Sequence, residues 1–282
     1  MAPERREAAQ SLIKNGVLVH RACELLSLPR SSLSYQAHPR HDDTLPARIK
    51  ALSLRYPRWG CRRVHAALIR EGVVVNRKTV HHIWKREGLA FPTRRLSRKI
   101  RTGQHLPLQA EYPNHIWTYD FIFDQTSQGT TLKILTLTDE FTRRSLAIRC
   151  GTAFTSMDVK AVLKATFKTN GVPTILRSDN GPEFIAHDLG EWLAEQGVIR
   201  KHIDPGKPWQ NGIAESFHSR FRDELLNVEV FSSPGHAQVL IDAWRAFYNG
   251  IRPHSSLGYR TPDEFTALHA ATQAATTAVH SP

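Results

Sequence analysis

The chain has 282 residues, 40% of them hydrophobic, enough to bury a real core in one large domain or two to three small ones. No apolar run nears the roughly 20 residues of a membrane span, the N-terminus lacks the apolar core of a secretory signal, and the three cysteines have neither zinc nor disulfide spacing, so a soluble cytoplasmic protein is expected. The net charge of +12 is confined to one end: residues 1–110 hold 22 Lys and Arg against 7 Asp and Glu, whereas residues 111–282 hold 16 against 19. That asymmetry suits a phosphate-binding module joined to a different kind of domain, with a merely solubilising basic surface as the plain alternative.

The N-terminal third reads as short helices. Val19, Ala22, Cys23, Leu25 and Leu26 form an apolar face at helical spacing, Ser27-Leu28-Pro29 interrupts it, and Arg30 to Gln36 starts a second short helix. A small residue, a tight turn and an Arg-led second helix suggest a helix-turn-helix, which would present Arg30, Ser31, Ser32 and Tyr35 to DNA. The usual turn glycine is missing, with Ser27 near its place, so a plain helical hairpin is the alternative. A second helical set follows: Leu45 to Tyr56, Trp59 to Glu71, and Arg77 to Glu87 capped by Asn76 and stopped by Gly88. In its last helix Val80, Ile83 and Trp84 face inward and leave Arg77, Lys78, His81 and Lys85 outside. With Arg62, Arg63 and Asn76 these are candidate contacts to backbone phosphates. Phe91 to Gly103, rich in Lys and Arg and free of acid, reads as a basic linker.

The pattern changes at His115. Strands are expected at 116–123, 132–138, 144–150, 174–178 and 199–203, with helices at 156–169, 187–196 and 209–227, a mixed α/β order. The Ala- and Thr-rich tail after Leu268 is expected to fray. The resulting division is a helix-turn-helix-like segment (1–40), a second helical DNA-binding domain (41–92), a basic linker (93–110), an α/β core (111–226), its helical extension (227–268) and a disordered tail (269–282).

Three acids occupy informative places in the α/β segment. Asp120 sits inside an apolar strand, where a charge is costly unless it is paired or binds a cation. Asp179 follows the short strand 174–178, at the carboxyl end where open α/β sheets bind ligands. Glu215 lies on a helix, with 35 residues between it and Asp179.

Trp117-Thr118-Tyr119-Asp120-Phe121, Ser178-Asp179-Asn180-Gly181-Pro182-Glu183-Phe184 and Gly206-Lys207-Pro208-Trp209-Gln210-Asn211-Gly212-Ile213-Ala214-Glu215-Ser216-Phe217 resemble the three acidic motifs of bacterial insertion-sequence transposases related to retroviral integrases. The 35-residue interval and the ending Tyr248-Asn249-Gly250-Ile251-Arg252-Pro253-His254-Ser255-Ser256-Leu257-Gly258-Tyr259-Arg260-Thr261-Pro262 match that family too. The likeness spans about residues 45–265 and is closest to the catalytic frame of two-frame elements. It implies a ribonuclease-H-like five-stranded mixed sheet with flanking helices behind small helical DNA-binding domains, and a catalytic triad of Asp120, Asp179 and Glu215. It also implies two Mg²⁺ ions, replaceable by Mn²⁺, with Asp120 between them and Asp179 and Glu215 on either side. The reaction implied frees a 3′-hydroxyl at the element end and joins it to target DNA by in-line attack.

The same resemblance implies partners: double-stranded DNA (terminal inverted repeats and target), further copies of the chain assembled on that DNA, and a helix-turn-helix protein from an upstream frame. No membrane partner is expected, and the place of action is the bacterial nucleoid. Arg222 falls two helical turns after Glu215, on the same face, where the family often contacts DNA. Lys207, Gln210, Asn211 and Asn180 are expected to hold terminal phosphates or, alternatively, to make loop and cap hydrogen bonds. His202 and His218 are expected at the surface, with a supporting place beside the acids as the alternative. The zinc module of retroviral integrases is missing from the sequence, so that comparison ends at the core. Two rivals remain: a metal-dependent nuclease that only hydrolyses, and a DNA-binding regulator with an inactive core.

Overall fold

A computed structural model of the protein describes residues 2–34, 44–90, 108–179, 181, 186–203 and 211–279. Tyr35, Asn180, Lys207 and Gln210, and most of the basic linker, lie outside these residues. The chain forms two compact units, residues 1–51 and 52–282. No helix among the described residues is long and apolar enough to cross a membrane.

The first unit contains helices α1 (Ala2–Lys14), α2 (Val19–Leu25) and α3 (Arg30–Ser34). Ala9, Ala22, Cys23 and Leu28 are buried in it. Periodicity predicts no element before Val19, yet α1 forms, because Ala, Glu, Arg, Gln and Lys are strong helix formers even without a sharp apolar stripe. Arg6 on α1 donates from Nε (2.9 Å) and Nη2 (2.6 Å) to the carbonyl of Ser32. Ser27 takes the left-handed backbone (φ 48°) that a turn glycine would supply. Helix α4 (Leu45–Arg55) straddles the boundary in sequence.

The second unit begins with helices α5 (Cys61–Arg70) and α6 (Arg77–Arg86), whose buried residues are Val64, Leu68, Val80, Ile83 and Trp84. Asn76 caps α6, its side chain accepting from Lys78 N at 2.8 Å. The sheet is built from β1 (Ile116–Gln125), β2 (Thr131–Asp139), β3 (Ser145–Gly151), β4 (Ile175–Ser178) and β5 (Ile199–His202). Strand order is β3-β2-β1-β4-β5, with β1-β2-β3 antiparallel and β1-β4-β5 parallel, the expected five-stranded mixed sheet.

Both faces of the sheet are covered, which is why β1 and β2 read as nearly continuous apolar runs. Trp117, Tyr119, Leu135, Leu137 and Leu176 pack against α7 (Ser156–Asn170) and α8 (His187–Glu195) through Leu163, Phe167 and Trp192. Ile122, Ile134 and Ile148 pack on the other face against α9 (Gly212–Phe221) and α10 (Pro234–Gly250) through Phe217, Phe221, Trp244 and Tyr248. Side chains alternate along a strand, so Asp120 shares the face of Ile122, under α9.

Past Phe221 the helix widens into a π-helical turn, Arg222–Leu226, rather than continuing as one α-helix to residue 227. Helix α11 (Pro262–Val279) runs through the segment expected to fray. Its alanines favour the helix, and Thr261 starts it by accepting from Glu264 N while Glu264 accepts from Thr261 N.

The ending Tyr248 to Pro262 is a clasp. Asn249 accepts from Ser145 N (2.9 Å) and donates to Ser145 O (2.8 Å), fixing α10 to β3. Arg252, 2% exposed, donates from Nε and Nη2 to both oxygens of Glu224 at 2.7–2.9 Å, and Arg63 of α5 approaches the same carboxylate at 3.7 Å. Arg70 of α5 donates to the carbonyls of Ile251 (3.1 Å) and Tyr259 (3.0 Å), and Tyr56 and Trp59 stack with Phe247. The basic helical pair is thereby seated on the α/β core within one unit. Because breaking a buried pair leaves the other charge uncompensated, Glu224→Ala is expected to cost about 3–5 kcal/mol in urea unfolding at neutral pH. A loss below about 1 kcal/mol would contradict the clasp.

Candidate active site

Asp120 stands at the middle of β1, opposite Thr136 of β2. Its Oδ1 accepts from Phe121 N (2.8 Å) and its Oδ2 from Asn211 Nδ2 (3.1 Å). Asn211 is 5% exposed and also accepts from the buried Thr118 hydroxyl at 2.9 Å. One amide therefore joins two residues of β1 to the start of α9, the helix that carries Glu215 in its first turn. Asn211 was expected to hold a phosphate or serve as a cap; its side chain faces Asp120.

Strand β4 runs parallel to β1 with Leu176 beside Trp117 and Arg177 beside Thr118. Continuing that register brings Asp179 alongside Asp120. Asp179 Oδ1 accepts from Gly181 N (3.0 Å), an Asx-type turn that ends the strand. The strand is held from behind by Arg177, which donates from Nη1 to both oxygens of the buried Glu140 (2.7 and 3.0 Å) and from Nη2 to Leu108 O (2.9 Å).

The electrostatics follow from this crowding. Burial, then the carboxylate of Asp179, and more weakly that of Glu215, push the Asp120 carboxyl up to about 6. Among the described residues no Lys or Arg forms an ion pair with any of the three acids. Nor do any three His, Cys, Asp or Glu side chains among them close around a single point as a finished metal cage would. The site is an electrostatically coupled trio of hard oxygen donors, in which Asp120 and Asp179 form the tighter pair and Glu215 is exposed at the rim. Hard carboxylate oxygens short of cationic partners fit a divalent cation of the Mg²⁺ type.

Both histidines take the alternative place beside the acids rather than the surface. His218 lies 2.8 Å from Thr136 Oγ1 through Nε2 and 3.9 Å from Asp120 Oδ2 through Nδ1. Burial, aided by Arg222, pushes it down to about 4, so it is neutral at pH 7. Thr136 spends its only hydroxyl proton on Asp120 O (3.0 Å), which assigns the imidazole proton to Nε2. His202 Nδ1 lies 3.1 Å from both Ser178 Oγ and Asp179 O, bracing the turn after β4. The available signal was spacing: His218 is three residues after Glu215, hence on the same side of α9.

The remaining candidates divide. Arg62, Arg77, Lys78 and His81 line a groove of about 240 Å³ between the start of α5 and α6, and Lys85 is exposed on the same helix as the last three. Arg63 turns away from this groove toward Glu224, and burial lowers its guanidinium to about 10. Arg30 and Ser31 are exposed on α3, and Ser32 is half-buried there. Arg222 donates from Nη2 to Phe123 O at 2.9 Å, which ties the π-helical turn to β1.

Comparison with known proteins agrees with this architecture. Two family models described as an integrase core domain match residues 110–208 and 196–262, and one described as an HTH-like domain matches residues 40–96. The chain is 38% identical over 260 residues to the insertion element IS407 uncharacterized 31.7 kDa protein of Burkholderia multivorans, covering 92% of this chain and 94% of that one. It is 25% identical over 241 residues to the transposase for insertion sequence element IS629 of Shigella sonnei, covering 81% and 80%. Among solved structures, the fold is similar to a chain of the simian T-cell lymphotropic virus intasome in complex with PP2A regulatory subunit B56 gamma. The TM-score is 0.50 at 15% identity, over 84% of this chain and 75% of that one.

Asn211→Ala would strip the Thr118 hydroxyl of its acceptor and Asp120 of a donor in a largely buried place. The expected loss is about 1–3 kcal/mol in urea unfolding; unchanged stability would refute the bridging role.

Proposed function

The chain belongs to the insertion-element transposases built on an integrase core domain, and from that premise we propose that it performs metal-dependent polynucleotidyl transfer at Asp120, Asp179 and Glu215. The observation that carries this reading is the state of Asp120, a mid-strand carboxyl raised to about 6 with two further carboxylates acting on it and no Lys or Arg paired to any of the three among the described residues. Such a trio is disfavoured by itself and becomes favourable when it holds divalent cations. Asp120, Asp179 and Glu215 are the residues that would hold them, Mg²⁺ by preference, two in number, with Mn²⁺ able to replace it. Ions there would lower the pKa of an attacking water or 3′-hydroxyl and stabilise the leaving oxygen during in-line displacement.

The chain's own residues supply the setting. Asn211 keeps one oxygen of Asp120 turned toward α9, and neutral His218 adds no positive charge to compete for the carboxylates. The turn after β4, held by His202 and Gly181, presents Asp179. DNA is recruited first through the basic groove of α5 and α6, where Arg62, Arg77, Lys78 and His81 meet backbone phosphates, with Arg30, Ser31 and Ser32 of the first unit adding contacts. Tyr35, Asn180, Lys207 and Gln210 remain proposed contacts, and Arg222 a further one beside β1. The reaction frees a 3′-hydroxyl at an element end and joins it to target DNA. Pairing of two ends calls for more than one copy of the chain, and a fusion or partnership with an upstream-frame protein fits the two-unit layout.

Incubation of the protein with Mg²⁺ and labelled duplex carrying its element's ends is expected to yield joined products. Cleavage without joining would favour a nuclease, and binding alone a regulator. Asp120→Asn, Asp179→Asn and Glu215→Gln should each reduce both steps about a thousandfold or more, roughly 4 kcal/mol of transition-state stabilisation, while duplex binding persists. Near-normal joining by any one of them would overturn that residue's assignment.

A further inference from the structure

Helix α9 has a second polar face beside the one that bears Glu215. Ser216 and Arg220 lie along it at helical spacing, about 100° round the helix from Glu215. This face forms one wall of a cavity of about 300 Å³ whose other walls include Arg63 of α5, Arg143 after β2 and Arg252 of the clasp, with the Thr138 hydroxyl on β2. Four guanidinium groups line it and no Asp or Glu does.

Their charges are only partly answered. Glu224 receives Arg252 and Arg63 together, one carboxylate for two cations. The guanidinium groups of Arg143 and Arg220 make no hydrogen bond or ion pair with any described residue. Arg143 is moreover held in the left-handed region (φ 61°), a conformation disfavoured for a residue with a side chain, at the end of a turn whose Phe141 and Thr142 amides are both bound by Asp139 (2.8 Å each). Partial burial lowers the pKa of its guanidinium, so the fold keeps this cation in place against its preference for water. Glu140 nearby attracts it electrostatically, but gives its hydrogen bonds to Arg177. Strain and desolvation spent on an arginine whose guanidinium has no hydrogen-bond partner among the described residues, in a cavity with three more, are met by an anion with several acceptor oxygens. Guanidinium forks and hydroxyls match a phosphate group in both shape and charge.

We propose that this cavity is a second phosphate site, taking a backbone phosphate of bound DNA other than the reacting one. The proposal rests on the reading of the chain as a DNA transposase. The site would fix the strand on α9 so that the neighbouring linkage lies toward Glu215, and it would couple the helical pair to the core, because Arg63 and Arg220 come from the two.

The test measures DNA binding by the full-length protein across a salt series, without reference to catalysis. Arg143→Gln/Arg220→Gln is expected to weaken binding and to reduce the slope of log affinity against log salt by about one, the loss of one neutralised phosphate. Arg220→Gln alone, at an exposed position that spares the fold, should reproduce the weakening, and Arg220→Lys should restore most of it. One neutral methylphosphonate, moved along the duplex, should find a linkage that weakens wild-type binding and leaves the double variant unaffected. An unchanged affinity and slope in the double variant would overturn the proposal. So would inorganic phosphate shifting the arginine Nε resonances of wild-type protein while DNA binding ignores the substitutions, since the cavity would then serve a free anion. Asp120→Asn retains the cavity and should keep the wild-type slope, so a failure of the catalytic assignment leaves this readout intact.

Discussion

Repulsion among three carboxylates is the constraint around which the core is organised. Asp120 is placed on the central strand, half-buried beneath α9, where burial first, then the carboxylate of Asp179 and more weakly that of Glu215, raise its pKa to about 6. An isolated charge in such a place would be eliminated or paired with a cationic side chain. Here the sheet topology does the opposite. The parallel pairing of β1 with β4 carries Asp179 alongside Asp120, and Asn211 draws α9 onto the same strand. Supports that could cancel the charge are neutral: an amide, a threonine hydroxyl, and a histidine whose burial keeps it uncharged. The arrangement leaves the negative potential uncancelled by the chain's own described side chains.

Positive charge is handled in the complementary way. Where arginines serve the fold, they are saturated: Arg177 on Glu140, and Arg252 on Glu224 with a share left for Arg63. In the α5–α6 groove, and at Arg143 and Arg220 in the cavity beside α9, no acidic residue shares the lining. The clasp from Tyr248 to Pro262 links these two uses. It packs α10 to β3 through Asn249, carries Arg252 to the cavity wall, and accepts Arg70 from the basic helical pair. One short segment thereby sets the position of the basic helical pair relative to the helix that carries Glu215.

Much of this was legible in the sequence because its signals are local. Asp120 stood out as a charge within an apolar run, and the five strands and their flanking helices followed from apolar patterning and turn residues. Glu215 was singled out by its interval from Asp179 and by family resemblance, not by anything in the local helix. The inward role of Asn211 was illegible, and those of His202 and His218 stood only as an alternative to the surface, because a polar residue at a helix start or strand end looks the same whether water or a carboxylate faces it. Likewise the Tyr248 to Pro262 motif could be recognised without its purpose, since Ser145, Glu224 and Arg63 are far from it in sequence. Helix α1 and the last turns of α11 went unpredicted where helix propensity prevailed over weak amphipathicity and a low-complexity composition. The π-helical turn after Phe221 leaves no trace in residue spacing at all.

Thermal unfolding of the protein alone reads whether divalent cations relieve the repulsion within the carboxylate trio. At pH 7.5 millimolar Mg²⁺ is expected to raise the melting midpoint of the wild-type chain, because a ligand that binds only the folded state stabilises it. Asp120→Asn without Mg²⁺ is expected to melt at or above the wild-type temperature and to lose the response to the ion. A wild-type midpoint indifferent to Mg²⁺, together with an Asp120→Asn chain that melts lower, would contradict that relief.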